Sequence, residues 1–120
     1  MRAIALALTS GATLLLINVA ALAHQHFDGG WSVEFITEAG SCNPTYTFPL
    51  TVQAGQVRLG GAEGMVVATV TSQGAVRGGA ERGSIKAEVA GRLTGGSGSG
   101  TWAFTGSQAC TGRWRAGKAG

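Results

Sequence analysis

Histidine is almost missing from this 120-residue chain, and the two that occur, His24 and His26, stand in a polar lead-in ahead of the first patterned segment. No Ser-His-Asp or Cys-His arrangement can therefore assemble within the body of the chain. Charge is also scarce, at 12% of residues, and after Val19 no second long apolar run appears, which excludes a helical membrane protein downstream of that point. Phosphate loop, metal-ligand cluster and dinucleotide fingerprint are all missing. Asn43-Pro44-Thr45 is no glycosylation acceptor, because proline fills its middle position. Nor does any stretch past the first two dozen residues carry a helical period.

What is present begins with Met1-Arg2, an apolar run from Ala3 to Val19, and Ala21-Leu22-Ala23. This pattern is that of a secretory signal peptide, residues 1–23, with cleavage before His24. An uncleaved anchor is the alternative, since the run is just long enough to cross a bilayer. The expected product is a single domain over residues 24–120, exported to the periplasm or the medium. Without Arg2, eight Lys+Arg face six Asp+Glu, a net charge of +2. That bias is too weak to imply nucleic acid or an anionic membrane as partner.

Glycine makes up about a fifth of residues 24–120, close to a low-complexity composition. Alternation around the glycines supplies the order. Trp31, Val33 and Phe35 share one face of a first strand, with Glu34 and Glu38 on the other. Tyr46, Phe48, Leu50 and Val52 do the same in a second, where Pro49 lacks a ladder donor and calls for an edge, a bulge or a bend. Ala54-Gly55 makes a tight turn into Val57 and Leu59. The stretch 65–71 is apolar with ambiguous facing, 75–77 is a short strand, and 78–83 reads as a loop with Glu81 and Arg82 at its tip.

Ile85, Ala87, Val89, Gly91 and Leu93 then alternate with Lys86, Glu88, Ala90 and Arg92. Gly95 to Gly100 reads as a hairpin loop. Trp102 and Phe104, and after a turn Cys110, Gly112 and Trp114, form the final pair of strands. About eight short strands with a turn every ten to twelve residues predict an all-β, antiparallel up-and-down meander, closed into a small barrel. An open twisted meander or small sandwich is the rival. An outer-membrane barrel would invert the facing and put Lys86, Glu88 and Arg92 in the lumen.

Cys42 and Cys110, in an exported chain, most simply pair with each other. Glu34 and Glu38, about 13 Å apart by strand rise, are too distant for a paired acid and base and read as solvated carboxylates. Arg113, Arg115 and Lys118 read as a charged strand edge that discourages pairing with other chains. Two features carry sharper expectations. Cleavage before His24 would create an amine-His24-Gln25-His26 terminus, whose amine, amides and third-position imidazole can surround Cu(II) or Ni(II) in a square plane. The aromatics Trp31, Phe35, Tyr46, Phe48, Trp102, Phe104 and Trp114 would either pack the core or line a cavity for a small apolar ligand.

The segments Asp28-Gly29-Gly30-Trp31-Ser32-Val33, Gly40-Ser41-Cys42, Gly55-Gln56-Val57, Gly74-Ala75-Val76, Gly98-Ser99-Gly100-Thr101-Trp102 and Cys110-Thr111-Gly112-Arg113-Trp114 together resemble a group of small exported proteobacterial proteins. That resemblance implies no activity. The opening Gly-x-Trp is also similar to that of lipocalins and avidins, both eight-stranded barrels, although the lipocalin helix and the avidin ligand set are missing. The size and export resemble small disulfide-bridged barrels that inhibit secreted proteases. The expected function is accordingly non-catalytic and cofactor-free. It is a binding or structural module, alternatively a lipocalin-like carrier of a small apolar ligand or a protease inhibitor presenting loop 78–83.

Overall fold

A computed structural model describes residues 25–119. The leader 1–23, with its expected signal helix, and His24 lie outside the described residues. A single 3-10 turn, Gln25–Phe27, precedes eight strands: β1 (Gly29–Ala39), β2 (Thr45–Gln53), β3 (Gln56–Leu59), β4 (Val66–Val70), β5 (Ala75–Arg82), β6 (Ile85–Thr94), β7 (Ser97–Thr105) and β8 (Ala109–Lys118). Each pairs antiparallel with its neighbour in sequence, and β8 returns to β1, so the sheet is a closed barrel. The open meander and the sandwich are thereby excluded. Closure leaves no unpaired edge among the eight strands.

Alternation built the interior. In β8, Cys110, Gly112 and Trp114 are buried while Ala109, Thr111, Arg113 and Arg115 are exposed. The core gathers Trp31, Val33, Val52, Val57, Ala68, Val70, Val76, Leu93 and Trp114 around Phe27. No polar or charged residue is buried among the described residues, and Lys86, Glu88 and Arg92 are exposed, so the inverted arrangement is ruled out. Pro49 sits opposite Ser32 of β1, and its carbonyl accepts from Gly60 on the other side. A residue's N–H and C=O point the same way in a strand. The missing donor of Pro49 therefore falls past Leu59, the last β3 residue paired with β2, where the ladder does not need it.

Three expectations are corrected. Residues 78–82 are not loop: β5 runs on to Arg82, which pairs with Ile85 across a two-residue turn at Gly83-Ser84. Gly78, Gly79 and Ala80 carry too little side chain to show alternation, and the partner strand β6 holds them in register. Likewise only Gly95-Gly96 turn the β6–β7 hairpin, and Ser97 to Gly100 belong to β7, paired with Arg92 and its neighbours. Finally, Arg113 and Arg115 do not guard a free edge. They sit on the seam where β8 meets β1, each bonded through Nε to a carboxylate of β1, Arg113 to Glu38 and Arg115 to Glu34, both at 2.8 Å.

The seam also carries the covalent tie. Cys42, just past β1, is bonded to Cys110 near the start of β8, with Cα atoms 6.1 Å apart. Joining residues 68 apart constrains the unfolded chain, a contribution of about 4 kcal/mol by loop-closure entropy.

Candidate functional site

The barrel's two ends differ. Where β1 begins, the 3-10 turn folds under the barrel and Phe27, only 5% exposed, packs with the core as a stopper. It is held there by its own carbonyl, which accepts from the Trp31 indole N–H at 2.9 Å. Asp28 accepts from the amide of Ala54 at 2.9 Å, tying the lead-in to the β2–β3 turn. The opposite end has no such stopper among the described residues.

Above the stopper lies a cavity of about 270 Å³. Its walls come from every strand but β7. Trp31, Val33 and Phe35 of β1 face Val76 of β5, Ala87 and Val89 of β6, and Trp114 of β8. It opens toward a mouth where Phe35, Tyr46, Phe48, Trp102 and Phe104 stand with Cys42 and Gln108. Phe35, Phe48, Ala87, Glu88 and Val89 line both spaces, which therefore adjoin. Phe35 meets Phe48 and Trp102 edge-on at 6.0 and 6.1 Å, while Tyr46 and Phe48 stack at 6.4 Å.

Every large hydrophobic side chain that the described residues leave exposed is at this same end. Phe48, Leu59, Met65, Val66 and Ile85 are 39 to 68% exposed, and all stand at or near the upper ends of β2, β3, β4 and β6. The arc is completed by the disulfide loop 40–44, pinned where Ser41 donates to the Gln108 side chain at 2.6 Å. Exposed apolar side chains at the end of the barrel where an apolar hollow opens are the surface signature of a binding site.

Inside, no hydrogen-bonding group is left over. The Trp114 indole donates to the Ala90 carbonyl at 3.1 Å, and that of Trp102 to the Ile36 carbonyl at 3.2 Å. These bonds depend on glycine. A methyl group on Gly100 would stand 2.6 Å from the Trp114 nitrogen, and one on Gly112 2.8 Å from the Trp102 nitrogen. The strand backbone can lean in to meet each indole only where no Cβ intervenes.

No protein-family model, curated protein or solved structure matches the chain. The site is therefore read from its own residues. Of the aromatics singled out in the sequence, Trp31 and Trp114 form the buried inner wall, Phe35 and Phe48 line both compartments, and Tyr46, Trp102 and Phe104 belong to the mouth. Trp31 and Trp114 belong to the buried core, Phe35 and Trp102 pack against it, and all seven rings border one or both spaces. Sequence reasoning passed over Phe27, whose signal was its being the one bulky apolar residue in a polar lead-in. It also missed Ala80, which it placed in a loop and whose small side chain borders the inner hollow.

The proposed metal-binding terminus is only half described. His26 is exposed, its ring edge-on to Phe27 at 5.0 Å, and His24 lies outside the described residues. Glu34 and Glu38 sit outside the barrel on the seam, engaged with arginines and remote from the hollow.

Proposed function

We propose that this protein is an exported binding module that takes up a small apolar ligand through the open end of its barrel, by binding rather than by catalysis. The observation that carries the reading is the inner hollow, lined almost wholly by apolar side chains above the buried Phe27 and adjoining a mouth where Phe35, Tyr46, Phe48, Trp102 and Phe104 stand. The side chains of its inner part offer an apolar ligand area and shape but nothing to bond with, which selects for hydrocarbon surface there. At roughly 30 Å³ per water-sized group, the inner cavity takes about nine such groups. Export is supported by the leader motif and by the Cys42–Cys110 bond, which suits an oxidising compartment.

Titration with N-phenyl-1-naphthylamine, a neutral fluorescent probe, tests the reading. Saturable enhancement with energy transfer from tryptophan is expected. Ala87→Phe, which fills the hollow where its two compartments join, should abolish it with the fold intact by circular dichroism. Equal binding by that variant, or no binding by the native protein, would sink the proposal. Residues 78–83, the segment that the alternative protease-inhibitor reading would present, are paired in β5 or belong to its tight turn.

A further inference from the structure

We infer that the ligand is a single-chain amphiphile with a neutral, hydrogen-bond-accepting head, bound tail first. This rests on the apolar-ligand reading above and specifies its chemical class. The two compartments differ in what they offer. The inner one is lined by aliphatic and aromatic side chains, the indole N–H of Trp31 and that of Trp114 each being taken by a backbone carbonyl. A head group placed there would lose its hydrogen bonds to water and regain none, a penalty that a hydrocarbon tail does not meet.

The mouth supplies what the interior lacks. Tyr46 Oη accepts from the Asn43 amide at 3.0 Å, which leaves its own hydrogen to donate. Gln108 accepts through Oε1 from Ser41, which aims its amide NH₂ elsewhere as a second donor. Both residues line the mouth. Two donors facing one opening call for an acceptor on the ligand.

Charge decides the rest. No lysine or arginine lines either compartment, whereas Glu88 borders both. Lys86 is committed to Glu88 at 3.1 Å and faces Glu81 across the β5–β6 ladder. A carboxylate head would lose its hydration and find no partner cation, so an alcohol, ester or amide is favoured over a free acid.

Displacement of N-phenyl-1-naphthylamine by 1-alkanols from six to fourteen carbons, and by the matching alkanoates at pH 8, tests this. Affinity for the alkanols should rise about fourfold per methylene, level off once the chain reaches about nine or ten carbons, and exceed that of the alkanoate of equal length at least tenfold. Tyr46→Phe combined with Gln108→Leu should weaken alkanol binding several-fold more than it changes naphthylamine binding. Naphthylamine binding with alkanoates matching alkanols, with no chain-length plateau, or with alkanol affinity unchanged in that double variant, overturns the amphiphile assignment and leaves the cavity reading standing. Failure of the naphthylamine itself to bind overturns both.

Discussion

Trp114 of β8 stands directly opposite Gly100 of β7, and its indole, with the Ala90 carbonyl it bonds to, fills the space that any side chain at Gly100 would need. Trp102 and Gly112 repeat the relationship one step along the same ladder in the reverse sense. The large and the absent side chain are thus complementary halves of one packing unit.

Gly100→Ala should therefore destabilise the barrel by about 1–3 kcal/mol, the usual cost of overpacking. In a Trp114→Leu background the same change should cost less, with a coupling of at least about 0.5 kcal/mol. Urea unfolding of the four proteins in the cycle measures it. Strict additivity would show that the two residues do not share the space.

Breaking the Cys42–Cys110 bond, by reduction or by the double serine variant, should remove about 2–4 kcal/mol. It should also weaken naphthylamine binding, since the tied loop borders the mouth. Denaturant melts with and without reductant report the first effect, and probe titration the second.

Ala54 leads the β2–β3 turn with φ 51°, a conformation that alanine adopts at a cost. Ala54→Asn keeps the backbone N–H that Asp28 accepts and suits the left-handed turn. A gain of about 0.5–1 kcal/mol is expected, seen as a higher urea midpoint at unchanged slope.

Lys86 is exposed, and its pKa is raised above the ordinary 10.5 by its hydrogen bond to Glu88, with the charges of Glu88 and Glu81 adding to it. A raised folded value means that any stabilisation is complete below pH 10.5 and fades as pH climbs through the folded value. The stability difference between the native protein and Lys86→Met should thus be flat from pH 7 to 9 and shrink only at more alkaline pH. Unfolding curves across that range check it, and a change centred near neutrality would contradict it.

The barrel was legible in the sequence wherever side chains were large enough to alternate. Cys110, Gly112 and Trp114 against Thr111, Arg113 and Arg115 declared a strand with a buried face, and β8 is that strand. Legibility failed where glycine erased the contrast. Gly78-Gly79 in β5 and Gly98 to Gly100 in β7 look like loop because their reason for being small, a neighbouring strand or the Trp114 ring, lies elsewhere in the chain. The mouth was half readable. Its aromatics could be named from alternation, but the donors Tyr46 Oη and Gln108 acquire their meaning only from Asn43 and Ser41, which the β1–β2 connection and the disulfide bring beside them.

The seam between β1 and β8 has a consequence for how the chain reaches its native state. Arg115 and Glu34 lie 81 positions apart, so the first strand has only one neighbour until the very last stretch arrives. A chain supplied from its N-terminus cannot complete the cylinder in stages. Such distant pairing places it among the slow two-state folders, in milliseconds to seconds, and until then β1 is an open template that a second molecule could occupy.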